Sequence, residues 1–180
     1  MKRKPNTVGG GSRTNVNGLS FEGRTDLLES LNQNPFFVVK GNKVLQNNKI
    51  VGEYFEKYNF YTSFLEERKV NWKEINSKQY LPDSVFYNHE NLTVYVIEKK
   101  YQAGSGSVDE KLQTCDFKKK MYMNLITPLG LETEYYYLLN NWFDKEVYKD
   151  VFSYIENVGC KFFIDFMPLS ELGLDEKFTE

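Results

Sequence analysis

Leu81-Pro82-Asp83-Ser84-Val85-Phe86-Tyr87-Asn88-His89-Glu90-Asn91-Leu92-Thr93-Val94-Tyr95-Val96-Ile97-Glu98-Lys99-Lys100-Tyr101-Gln102 is the stretch that decides how this chain reads. Two segments dense in β-branched and aromatic residues flank a polar tetrapeptide, Asn88 to Asn91, of turn-forming types. The pattern predicts a β-hairpin with strands over Leu81–Tyr87 and Leu92–Tyr101. Pro82 suits a strand start, where its missing N–H removes no ladder bond. A turn centred between Glu90 and Asn91 puts residue 83 opposite residue 98. Side chains alternate faces along a strand, so Leu92, Val94, Val96, Glu98, Lys100 and Gln102 share one face. That face is apolar first and charged at its end, as expected of a core layer that opens into a polar cleft.

Directly opposite strand positions bring Cβ atoms to about 4.5–5.5 Å. Two carboxylates that close repel unless a cation lies between them. Donors that are all oxygen favour magnesium over zinc. Lys100, two residues beyond Glu98, falls on the same face beside such an ion. This set can hold and polarise a water for attack on a phosphodiester. Glu-x-Lys on a strand is common as exposed cross-strand charge. Four features set this one apart: Pro-Asp at hairpin distance, an apolar strand, a carboxylate-bearing helix upstream, and a helix just downstream.

The flanking sequence supplies those helices. Residues 1–17 are polar and Gly-rich and read as an irregular arm; Gly9-Gly10-Gly11 lacks the Gly-Lys-Ser/Thr of a P-loop. Ser20 then reads as a helix N-cap, with Glu22 in the first turn and Phe21, Leu27, Leu28 and Leu31 as an apolar stripe. Strands are expected over 36–40, 43–46 and 49–51, and a helix over 53–69. Beyond Gly104-Ser105-Gly106-Ser107, a helix is expected over 108–124, capped by Ser107 with Glu110 three residues on. A strand over 134–139, a helix over 145–157 ended by Gly159, and a strand over 161–166 complete the order. The whole reads as an α/β fold, a central mixed β-sheet flanked by helices, in one domain over 18–180.

Composition bounds the chemistry. The 180 residues carry a formal net charge of -2, so any nucleic-acid contact would rest on local basic patches. Lys2-Arg3-Lys4, Lys99-Lys100 and Lys118-Lys119-Lys120 are the candidates. A single histidine, His89, rules out a multi-histidine zinc site. Cys115 and Cys160 lack metal-ligand spacing and read as free thiols. No apolar run reaches the ~20 residues of a membrane span and no signal peptide is legible, so a cytoplasmic, soluble protein is expected. Trp72, Trp142 and Tyr135-Tyr136-Tyr137 read as packing residues.

Pro82-Asp83 followed by Glu98-Lys99-Lys100 resembles the signature of the PD-(D/E)xK nuclease superfamily, and within it the type II restriction endonucleases. The resemblance implies a restriction-endonuclease-like core, covering roughly residues 18–166 in element order. It implies Asp83 and Glu98 as Mg2+ ligands, with Mn2+ as a substitute, the Lys99 carbonyl as a further ligand, and Lys100 beside the attacking water. Glu22 resembles an upstream helical glutamate that joins the metal site in many members, and Gln102 a polar residue two positions past the lysine. Ser107, Lys111 and Thr114 would touch a DNA phosphate, and Arg13, Asn15 and Asn17 could reach bases or phosphates. The implied partner is double-stranded DNA, cut by a homodimer. A junction-resolvase-like or repair nuclease, and a non-catalytic DNA-binding α/β domain, are the alternatives.

Overall fold

In the computed structural model, which describes residues 26–104 and 108–174, the hairpin lies inside one open sheet whose seven strands follow chain order. The first five strands are β1 (Val38–Lys40), β2 (Lys43–Gln46), β3 (Lys49–Phe55), β4 (Ser84–Asn88) and β5 (Thr93–Lys100). They form an antiparallel meander. β6 (Glu132–Leu139) and β7 (Lys161–Ile164) then add parallel to β5. Parallel neighbours need crossovers. The first is made by α3 (Val108–Leu112) and α4 (Cys115–Ile126), the second by α5 (Lys149–Asn157). With α1 (Leu27–Gln33) and α2 (Trp72–Ile75), the described residues form an α/β fold, a seven-stranded mixed open sheet packed against five helices.

Each face of the sheet has its own core, because period-two alternation sends neighbouring side chains to opposite sides. Val85, Val94, Val96, Tyr135 and Tyr137 pack with Phe60, Phe64, Tyr122 and Ile155. Phe86, Tyr95, Ile97, Tyr136 and Leu138 pack on the other side with Leu27, Leu31 and Leu172. β5 is therefore buried from Thr93 to Lys99. Among the described residues no helix is long and apolar enough to cross a membrane. Cys115 and Cys160 are buried and free.

The hairpin has the expected register: Val85 faces Val96 and Ser84 faces Ile97. Asn88 fixes it. Its Oδ1 accepts from the Glu90 amide at 2.7 Å and the Asn91 amide at 3.2 Å. Its Nδ2 donates to the Leu172 and Gly173 carbonyls at 2.8 and 3.1 Å, tying the turn to the C-terminal segment. Asn88 is 1% exposed, so Asn88→Ala strands four backbone groups without a side-chain partner. We expect a loss of about 1–3 kcal/mol in urea unfolding; an unchanged midpoint would show that the turn holds without it.

Several boundaries differ from expectation. β3 runs on through Glu53, Tyr54 and Phe55, which pair with Tyr87, Phe86 and Val85; cross-strand partners override their helical pattern. The helix that follows is a short turn, Lys57–Asn59, leading into a π-helix, Phe60–Glu66. Leu92 does not share the face of Val94, because it sits in the turn at φ 56°. The helix expected over 108–124 is broken. Both the amide and the hydroxyl of Thr114 bond the Lys111 carbonyl, at 3.2 and 2.7 Å, and close a turn between α3 and α4. The first described helix, α1, is capped by Asp26, whose carboxylate accepts from the Leu28 amide at 2.8 Å. The expected N-cap Ser20 and the first-turn Glu22 lie outside the described residues. The expected arm, residues 1–17, lies outside the described residues.

Candidate active site

The meander carries its charged residues to one end of the β4–β5 face. Continued one step past Ser84–Ile97, the register sets Asp83 opposite Glu98. The ladder stops there because Pro82 has no N–H to donate. The Pro82 carbonyl turns instead to the Lys57 amide at 2.9 Å. The Lys99 amide donates to the Asp83 carboxylate at 2.9 Å. Asp83 is thereby held against β5 at the level of the glutamate. In an extended strand the amide and carbonyl of one residue face the same edge, so the Lys99 carbonyl also leaves β5 on the Asp83 side.

Glu98 ends the apolar row of Val94 and Val96 and is 6% exposed. Its Oε1 accepts from Lys100 Nζ and from Lys118 Nζ, each at 2.6 Å. Its Oε2 is buried and meets no donor among the described residues. Burial pushes the carboxyl upward, but the ammonium groups of Lys100 and Lys118 together outweigh it. The net effect holds Glu98 below the ordinary carboxylate range. Tyr122, on α4, lines the same region. Burial first, then the charges of Glu98 and Asp83, push its hydroxyl upward, so it stays neutral. Glu98 is thus an anion in aromatic, low-dielectric surroundings, balanced by two cations.

Lys118 is the site residue that sequence reasoning passed over, reading the lysine run as a basic patch. A signal was present: Cys115, Tyr122, Leu125 and Ile126 form the buried stripe of α4. Lys118 lies three residues after the first and four before the second, on that same stripe. The lysine run therefore divides. Lys119 Nζ donates to the Gly159 carbonyl at 2.5 Å and Lys120 pairs with Asp116 at 2.8 Å. Lys99-Lys100 also divides, across the sheet. The Lys99 side chain is buried on the Ile97 face, beside Leu27 and Leu138. Neither run acts as a single basic patch.

A clamp from β6 fixes the end of β5. The Asn140 amide donates to the Lys100 carbonyl at 3.2 Å. Its side chain accepts from the Gln102 amide and donates to the Gln102 carbonyl, both at 2.9 Å. Gln102 is consequently buried, and its Oε1 meets no partner among the described residues. Lys111 and Thr114 are exposed at the α3–α4 junction, with the Thr114 hydroxyl spent on the turn. Glu22, Arg13, Asn15, Asn17 and Ser107 lie outside the described residues.

Asp83 and Glu98 are hard oxygen donors of the kind magnesium prefers. The buried Glu98 Oε2 is an acceptor that a cation would satisfy. In type, these residues fit such an ion. Among the described residues no three His, Cys, Asp or Glu side chains gather at one point. Two acids alone would leave most of such an ion's coordination to backbone carbonyl and water oxygens. Comparison of the chain with protein-family models, characterised proteins and solved structures finds no match.

Proposed function

We propose that this protein is a magnesium-dependent DNA endonuclease of PD-(D/E)xK type on a restriction-endonuclease-like core, most specifically a type II restriction endonuclease. The observation that carries the reading is the convergence of three groups. The Asp83 carboxylate is bound to the Lys99 amide, the register continued one step past Ser84–Ile97 brings Asp83 level with Glu98, and the Lys100 ammonium is 2.6 Å from Glu98. Asp83, Glu98 and the Lys99 carbonyl would hold the ion. Magnesium, when bound, supplies Lewis acidity and a water of lowered pKa. The Lys100 Nζ, 2.6 Å from Glu98, would hydrogen-bond the attacking water or an anionic phosphoryl oxygen. Water attack in line with the departing 3′ oxygen leaves a 5′-phosphate and a 3′-hydroxyl.

Plasmid and phage DNA incubated with the purified protein and magnesium should give discrete fragments, and chelator should prevent them. Intact duplex throughout would reject the reading. Cutting of branched junctions but not linear duplex would move the protein to the resolvase side of the same superfamily. A second reading, a non-catalytic DNA-binding domain, draws support from Glu98 being already neutralised by two lysines, as in a purely structural ion cluster. Binding of duplex without cutting would favour it. Cutting two strands requires two sites, so we expect a homodimer. Sedimentation as a monomer with and without DNA would argue against that arrangement.

A further inference from the structure

One carboxylate oxygen with two ammonium groups is more cation than the carboxylate needs. Lys100 and Lys118 each stand 2.6 Å from Glu98 Oε1, so their nitrogens lie within twice that distance of each other. Each ammonium has three N–H donors. Lys118 uses one on Glu98, its acceptor among the described residues. Both lysine side chains are part-exposed while Glu98 is buried, at 18% and 24% against 8%. The cations thus lie between the carboxylate and solvent, where an incoming anion would arrive. A geometry that suits one anionic oxygen shared by two ammonium groups also suits a non-bridging phosphate oxygen. Charge points the same way. Before any metal binds, Asp83 and Glu98 offset Lys100 and Lys118, and the three residues without Lys118 would carry a net negative charge that disfavours a phosphodiester.

We propose that Lys118 contacts the scissile phosphodiester, with its remaining donors on a non-bridging oxygen, while Lys100 serves the attacking water. This rests on the nuclease reading above. α4, rather than the hairpin alone, then supplies part of the catalytic machinery. Lys118 would be a second cation of the site, reached from a different element than Lys100.

The test uses the full chain and a short duplex carrying a cut site mapped on phage DNA. Binding is followed against potassium chloride concentration in chelator, and cutting in magnesium. Lys118→Gln keeps an N–H for Glu98 but removes the charge. We expect its slope of log affinity against log salt to fall by about one. We expect cleavage to drop about a hundred-fold. Lys118→Arg should keep the wild-type slope. Near-ultraviolet circular dichroism on each variant establishes that it is folded. If the glutamine variant does not fold, Lys118→Arg and Lys118→Met carry the comparison. A wild-type slope and rate in the charge-removed variant, with the wild type cutting, would overturn the role of Lys118 alone. A wild type that cuts no duplex would instead remove the nuclease reading itself.

Discussion

Asp83→Asn is expected to fold as the wild type does and to lose cleavage by about a thousand-fold or more. The substitution is nearly isosteric, and the new amide oxygen can still accept from the Lys99 amide that now bonds the carboxylate at 2.9 Å. What disappears is one unit of negative charge at the place where a cation would bind. Metal assistance to phosphoryl chemistry is worth several kcal/mol, and each ~1.4 kcal/mol is a factor of ten in rate. Asp83→Ala should lose the same activity and some stability as well, because it also leaves the Lys99 amide without this acceptor. Comparing the two variants by thermal melting and by plasmid cleavage separates the charge from the hydrogen bond. If Asp83→Asn cuts at the wild-type rate in magnesium, Asp83 has no place in the chemistry.

The largest effect on stability should come from removing both cations beside Glu98. Lys100→Met with Lys118→Met leaves a buried carboxylate with neither of its ammonium partners, a change that typically costs about 3–5 kcal/mol. The sign of its pH dependence is also expected to reverse. In the wild type the folded-state Glu98 pKa lies below its unfolded value. Its contribution is therefore fully present above the unfolded pKa and is lost as pH falls through the folded one. In the double variant only burial remains, which raises the folded pKa above the unfolded value. The folded state then binds the extra proton, so stability falls as pH rises through that window. Urea unfolding in chelator between about pH 4 and about pH 8 measures the difference. Superimposable curves for wild type and variant would mean that the pairing of Glu98 with Lys100 and Lys118 contributes nothing to folding.

The hairpin was legible because its determinants are local. Asn88 to Asn91 fix the turn, and the turn fixes the register from Asn88–Thr93 to Ser84–Ile97. What stayed hidden depends on how distant elements meet. Lys118 reaches Glu98 across twenty residues of chain, and only the rotation of α4 about its axis distinguishes it from Lys119 and Lys120. Asn140 is thirty-eight residues from the backbone it clamps, and nothing in its sequence neighbourhood marks it. Glu53 to Phe55 looked helical because the strand that captures them, β4, begins almost thirty residues later. Thr114 breaks the downstream helix through a bond to Lys111 that a helical periodicity does not register.

Strand order has a kinetic corollary. The three steps β1 to β2, β2 to β3 and β4 to β5 close through short turns, whereas β6 and β7 arrive only after helical crossovers. Contacts between residues close in the chain form early and cheaply, and distant ones bear the entropy of closing long loops. Glu98 and Lys100 belong to the first group, while Lys118 and Asn140 belong to the second. A nascent chain that has made only its meander would carry both acids and one lysine, with the second ammonium and the asparagine clamp still missing. Catalytic competence would then mark the final stage of folding.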